Sequence, residues 1–454
     1  MKDCQVQKFL DAWKKLTSGS INRKIFGAAV TVALLTALVK LMALVKELVV
    51  ASKFGTGDTL DAFLIAWLVP SFIINTVAVP FNAALIPTYI RVREQEGTKA
   101  AQKLFSGATI WGSGLLGIIT LLMVVTAPRY LPWIASGFGP EKLDLTFQLI
   151  CASAPVVLLS GIVTLLSAVL NAGERFALAA LSPIVTPAIS VVFLLVIKSW
   201  GIFALAAGLG CGAVLEMVFL GAALHRQGIS LHLRLYGFDA NLRQVANQYA
   251  PMIAGAFLMC SSGPVDQSMA AMLLPGSVAT LNYGNRVIIS LLSLIATALS
   301  TAVVPYFSKM VACEDWSELR HTFNHYMQLI FIVTVPLMGV LVIFSEPIVK
   351  IFFQRGSFTV QDTHAVAQLQ ALYALQVPFY VGDILGVGLI KSIRFSQILI
   401  WICGLNLVVN FILDYLFIKW IGIKGIALST SCVYLFSFLC VFFSAKKSLK
   451  KIIV

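Results

Sequence analysis

Apolar residues come in runs of about 20 along nearly the whole chain, divided by short polar connections. Each run is long enough to cross ~30 Å of hydrocarbon as a helix. Twelve spans are expected, at 27–50, 60–90, 104–127, 145–170, 178–198, 202–224, 245–274, 279–307, 323–345, 364–390, 396–418 and 422–445. Continuous runs of this kind are unlike the alternating strands of about 10 residues that build membrane barrels. The pattern predicts an all-α polytopic membrane protein.

The pattern also repeats. Ala84-Leu-Ile-Pro87 returns as Ala302-Val-Val-Pro305, and each proline precedes a phenylalanine by 18 residues, at Phe105 and Phe323. Arg175-Phe176 returns as Arg394-Phe395, and Trp200-Gly-Ile-Phe-Ala-Leu resembles Gly422-Ile-Lys-Gly-Ile-Ala-Leu428. The first two pairs share an offset, 218 and 219 residues. Two six-helix lobes, 27–226 and 245–445, are expected as parallel repeats about an axis along the membrane normal. A linker at 227–244 joins them, its alternating string Ile229 to Tyr236 read as interfacial, and a basic tail follows at 446–454. Pro70, Pro80, Pro87, Pro155, Pro183, Pro187, Pro251, Pro264 and Pro378 mark helices that can bend, as a moving cavity requires. Proline is also simply commoner in membrane helices than in soluble ones.

Composition agrees: 59% of the 454 residues are hydrophobic and 12% charged, against about 25% charged in a soluble domain. The net charge of +13 is not a nucleic-acid footprint, because 22 of the 33 Lys and Arg fall in the terminal segments and connections on one side. By the positive-inside rule that side is cytoplasmic, both termini lie there, and the span count is even. Within the N-terminal segment, 1–26, residues 1–25 lack the apolar stretch of a cleavable signal. Val6, Phe9, Leu10 and Trp13, spaced among Lys8, Lys14 and Lys15, predict an interfacial amphipathic helix, with a disordered tail as the plainer alternative. Of eight cysteines six lie in apolar runs, and none has zinc-ligand spacing.

Three basic residues are not explained by topology: Lys40 and Lys46 in the first apolar run, and Arg286 in the eighth. A cation at the bilayer centre costs roughly 2.5–3.5 kcal/mol on insertion scales, so it faces a cavity or a partner. Lys40 lies 16 residues beyond Lys24, about 24 Å along a helix. Lys46 is about 9 Å further and long enough to snorkel to the outer interface. A cavity lined by Lys40 and Arg286 could grip a phosphate or diphosphate. The plainer reading is a structural pair with Asp61, Glu47 or Glu216.

The second half carries an all-oxygen set. Asn410 and Asp414 share a helix face, Thr430 sits in the next span, and Asp266 lies near the outer part of span 7. Such a set suits a small hard cation, or a proton on an aspartate. Alternatively both aspartates are merely hydrated near the interface. No Walker A, HExxH or GxSxG sequence occurs, so no enzyme is indicated. An uphill step would draw on an ion or potential gradient, with Na+ or H+ as the coupling ion.

Several segments together resemble the MurJ/MviN branch of the multidrug/oligosaccharidyl-lipid/polysaccharide exporter superfamily. They are Lys40-Leu-Met-Ala-Leu-Val-Lys-Glu47, Phe54-Gly-Thr-Gly, Leu60-Asp-Ala-Phe63, Pro70, Ile86-Pro87, Gly276-Ser-Val, Tyr283-Gly-Asn-Arg286 and Phe353-Gln-Arg-Gly-Ser-Phe-Thr359. The resemblance implies a flippase in a bacterial cytoplasmic membrane, moving a lipid-linked saccharide diphosphate, usually lipid II of peptidoglycan. It places Lys40, Lys46, Asp61 and Arg286 at a central substrate cavity, and Asp266, Asn410, Asp414 and Thr430 at a cation site. Membrane lipids and cell-envelope synthesis enzymes are the partners it suggests. The sequence departs where the family has arginines (Lys40, Lys46, Ile74 and Asn75) and an acidic residue (Ile289), and it ends after span 12, where relatives commonly add two spans. Lysine gives a point charge rather than a bidentate fork. Another lipid-linked polysaccharide unit is therefore an alternative cargo. A cation-coupled multidrug antiporter or a non-transporting scaffold are rival functions.

Overall fold

The computed structural model describes residues 21–229, 234, 236–393 and 395–453. The expected amphipathic segment over residues 1–20 and most of the string 229–236 lie outside the described residues. Every described element is helical. The first half comprises α1 (Ile21–Phe54), α2 (Asp58–Ile73), α3 (Val79–Gln95), α4 (Thr98–Ile134), α5 (Pro140–Ala172), α6 (Phe176–Leu181), α7 (Val185–Val196) and α8 (Phe203–His225). The second comprises α9 (Ala240–Cys260), α10 (Ser262–Ala271), α11 (Ser277–Ala312), α12 (Trp316–Ile343), α13 (Ser345–Phe353), α14 (Val360–Ala374), α15 (Val377–Ser392), α16 (Gln397–Ile421) and α17 (Ile423–Ile453).

These elements cover the twelve expected spans one for one, several as broken pairs. Nine helices among the described residues are long and apolar enough to cross a membrane, ten if the α14–α15 pair is one span. The breaks follow the prolines. Beyond Pro70 the chain makes a π-helical stretch, Ile74–Ala78, between α2 and α3. Ser182–Ile184, around Pro183, is a 3-10 turn before α7. Span 7 breaks just ahead of Pro264, and α14 meets α15 at a 40° bend beside Pro378. Proline removes one backbone donor and crowds the preceding turn, and the π-helical stretch accordingly lies in the turn before Pro80.

The halves echo each other in detail. Gly201 and Gly422, both at positive φ (53° and 62°), turn the fifth span into the sixth and the eleventh into the twelfth. Only glycine enters such a conformation without a Cβ clash. Phe105 and Phe323, the repeat-related pair, are 1% and 0% exposed. One apolar core runs through both halves, from Phe63 and Leu68 to Val278, Tyr283 and Phe323. Side chains such as Leu121, Val125, Ile332, Val333 and Trp401 stay exposed on the outside of the bundle. Outward apolar faces with inward polar groups are what a hydrocarbon solvent requires. The protein is a multi-pass membrane protein.

The connections after α3, α8, α11 and α15 are flanked by basic residues on the adjoining helix ends, such as Arg91, Arg93, Lys103, Lys309, Arg320 and Lys391, and lie at one end of the bundle, the basic face. The turns around residues 55–58, 135–139, 272–276 and 354–359 lie at the other end, the far face.

Candidate functional site

Glu47, 7% exposed, is held by cations from both halves. Lys46 Nζ lies 3.0 Å from its Oε1, and Arg286 of α11 donates to the same oxygen. Tyr283, 2% exposed, packs on Phe353 and Phe358 with ring centroids 5.1 and 5.5 Å away, which fixes α11 one turn before Arg286. Lys40 stands seven residues before Glu47, hence on nearly the same helical stripe and about 10 Å toward the basic face. It is exposed, and no described residue pairs with it. Two cations thus share one carboxylate, and Lys40 is a third on the same stripe that does not reach it. Arg286 is still partly open, with 36% of its side chain exposed, and a guanidinium has five donors.

Asp61 belongs to a different contact. Its carboxylate accepts from the backbone N–H of Gly276 at 2.7 Å and of Ala279 at 2.8 Å, and from Lys142 Nζ at 3.1 Å. It is 1% exposed and caps the N-terminus of α11 from the opposite half, where orphan N–H groups and the helix dipole both favour an anion. The approach demands glycine: a Cβ on Gly276, at φ 84°, would meet Thr56 O at 2.4 Å. Alongside, Ser357 N donates to Ser52 O at 2.8 Å, Ser357 Oγ donates to Lys53 O at 3.1 Å, and Thr56 Oγ1 donates to Asp362. The far face is therefore laced shut between the halves.

At the basic face the ties run to the linker and α9. Arg91 donates to Asn241 at 3.0 Å, Asn241 donates to Glu96, and Lys103 pairs with Asp239 at 3.5 Å. Deeper, Tyr249 Oη donates to Val77 O at 2.7 Å, at the π-helical stretch. Span 7 thus rides on the first half.

Asp266, Asn410, Asp414 and Thr430 converge in the second half. Asn410 Nδ2 donates to Asp266 Oδ1 at 3.1 Å and to Asp414 Oδ2 at 3.2 Å. Thr430 Oγ1 stands 3.4 Å from Asp266 Oδ2. Asp414 is 0% exposed, which removes the reading of it as a hydrated interfacial group. No basic side chain among the described residues pairs with either aspartate. The buried Asn410 Oδ1 and Asp414 Oδ1 have no hydrogen-bond partner. Two carboxylates, an amide oxygen and a hydroxyl form an oxygen donor set of the kind hard cations take.

A family model described as "Lipid II flippase MurJ" matches residues 50–454. The chain belongs to the lipid II flippase MurJ family. A relative from Synechocystis sp., called a probable lipid II flippase MurJ, is 27% identical over 438 residues, covering 92% of this chain and 81% of its own. One from Rickettsia prowazekii with the same description is 25% identical, covering 79% and 71%. Among solved structures, "Lipid II flippase MurJ, inward closed conformation" aligns over 93% of this chain and 90% of its own, with TM-score 0.78 and 22% identity. An inward-facing multidrug MATE transporter aligns over 92% and 98%, with TM-score 0.76 and 11% identity, a likeness of fold alone.

Sequence reading singled out Lys40, Lys46 and Arg286 but gave Glu47 only the role of one candidate partner. Its bridging position needed the register of α1 against α11, which no local pattern encodes. Lys142 and the Gly276 amide were missed for the same reason. Glycines in Phe54-Gly-Thr-Gly and Gly276-Ser-Val were the available signal, since they mark a close approach of backbones.

Proposed function

We propose that the protein is a flippase that carries a lipid-linked saccharide diphosphate, lipid II in keeping with its family, across a bacterial cytoplasmic membrane by alternating access. The basic face is cytoplasmic, and both termini lie on that side. The observation that carries this reading is the interlobe cation cluster: Lys40, Lys46 and Arg286 against the single carboxylate of Glu47. Its surplus of two positive charges matches a diphosphate that carries two negative ones. The head group enters from the basic face, while its polyprenyl tail stays in lipid. Diphosphate oxygens take the open donors of Lys40 and Arg286 through charge-assisted hydrogen bonds. They also compete with Glu47 for Arg286, and so loosen a tie between the halves at the depth where the cargo sits. The far-face lacing can then part and release the head group. Protein groups bind and reorient the cargo and no bond is broken, so the chain is a carrier rather than an enzyme.

Asp266, Asn410, Asp414 and Thr430 hold the coupling cation, Na+ or H+, whose entry resets the carrier. A multidrug antiporter would favour acidic or aromatic side chains where this gap is cationic. The test is translocation of labelled lipid-linked saccharide in proteoliposomes. Lys40→Ala and Arg286→Ala should each slow it at least about tenfold, given ~1.5–3 kcal/mol for a hydrogen bond to a charged group. Wild-type rates in normally inserted variants would overturn the cavity reading and favour a scaffold.

A further inference from the structure

The polar groups of the second half do not stop at Asp266 and Asp414. Asn406, Asn410 and Asp414 stand at i, i+4 and i+8 on α16, on one face and about 12 Å from end to end. At the inner end of this column Asn406 Nδ2 donates to Ser437 Oγ at 2.9 Å, and Ser437 Oγ donates to Asp383 Oδ1 at 3.0 Å. Asp383 lies eight residues before Lys391, about 12 Å from the basic face. The column therefore joins a carboxylate in the far part of the bundle to one near the basic face.

Its oxygens are unsatisfied. Asn406 Oδ1, Asn410 Oδ1 and Asp414 Oδ1 are buried without a hydrogen-bond partner among the described residues. The amide orientations are fixed by their neighbours. Turning Asn410 over would aim its oxygen at two carboxylates. Ser437 gives its single hydrogen to Asp383, so Asn406 must present its nitrogen there. With both amides so oriented, the orphan atoms are acceptors. The charged groups nearby do not answer them: Lys391 is exposed at the basic end of α15, Lys419 turns to Tyr415 Oη at 2.7 Å, and Glu346 takes His364. Among the described residues no base pairs with Asp266, Asp383 or Asp414.

We propose that Asp383, Asn406 and Ser437 form a second cation station, and that a hard monovalent cation travels along the α16 column between it and the Asp266/Asp414 site. Amide oxygens coordinate a metal cation but take no proton near neutral pH, so a column built on two of them suits a cation of sodium's class better than a proton. Neutral oxygens outnumber carboxylates along it, which favours a single charge over a double one. A passage that brings a cation bound from the far side to within about 12 Å of the basic face shortens its exit on the other side, which a coupling ion has to make. This inference rests on the reading of Asp266/Asp414 as a cation site.

The experiment uses the full chain. Equilibrium binding of radioactive sodium is measured in detergent, and sodium exchange is measured across proteoliposomes containing lipid-linked saccharide. Asp383→Asn should keep sodium affinity within about threefold of wild type while slowing exchange at least about tenfold; Asp383→Glu should restore part of the rate. Asp414→Asn should lose binding itself. If Asp383→Asn is poorly folded, Ser437→Ala and Asn406→Leu leave all carboxylates in place and should slow exchange in the same way. Wild-type exchange in these variants, with Asp414→Asn still unable to bind, overturns the passage and leaves the cation site standing. Absence of sodium binding by the wild type overturns both. A proton flux that Asp383→Asn slows while sodium exchange is unchanged overturns the choice of a metal cation.

Discussion

Glu47 and Asp414 are both carboxylates buried between membrane-spanning helices, at 7% and 0% exposure. Glu47 lies between Lys46 and Arg286, one cation from each half. Asp414 lies beside Asn410, which also holds Asp266, and among the described residues no cation answers it. A buried charge is retained only when something compensates it. The interlobe cluster is compensated from within and keeps positive charge to spare, so what it lacks is an anion. The second-half cluster is not compensated from within, so what it lacks is a cation. On the proposed function, one fold holds two sites of opposite demand, one between the halves and one inside the second.

The largest expected effect comes from Arg286, which serves both the tie to Glu47 and the cargo. Arg286→Ala should cost translocation about a hundredfold, since it removes a charge-assisted donor and leaves Glu47 with one partner. A double-mutant cycle of Glu47→Gln with Arg286→Gln sharpens this. Their coupling, read from thermal unfolding, should be about 0.5–3 kcal/mol, as for residues in direct contact, and additivity would deny the bridge. Asp61→Asn should destabilise the protein by about 1–3 kcal/mol, because the far-face cap of α11 and the Lys142 pair both weaken. Head-group affinity should change little in that variant. A large loss of affinity at unchanged stability would instead put Asp61 in the cargo site. The smallest effect on cargo is expected from Asp414→Asn: head-group binding stays near wild type while any sodium or pH dependence of transport disappears.

Much of this was legible in the sequence because a membrane simplifies it. Runs of about 20 apolar residues and the clustered basic connections specify spans, and prolines at 70, 183, 264 and 378 mark where the spans break. Lys40 and Arg286 stood out because a cation inside an apolar run needs a cavity or a partner. Pairing is another matter. Lys46–Glu47–Arg286 and Asp61–Gly276 join residues 239 and 215 positions apart, set by how the two halves dock. The i,i+4 relation of Asn410 and Asp414 was readable from helix periodicity, whereas Asp383 joined the column only through the crossing of α15 and α17. A single helix encodes its faces, but the partner of a face is encoded in the whole bundle.

The central claim is that the gap between the halves is the anion site and the second-half cluster is not. Binding of a labelled lipid-linked saccharide diphosphate to the purified protein at fixed sodium tests it most directly. Affinity should fall at least about tenfold in Lys40→Ala and in Arg286→Ala, and stay within about threefold in Asp414→Asn. Equal losses in all three, or a loss confined to Asp414→Asn, would contradict it.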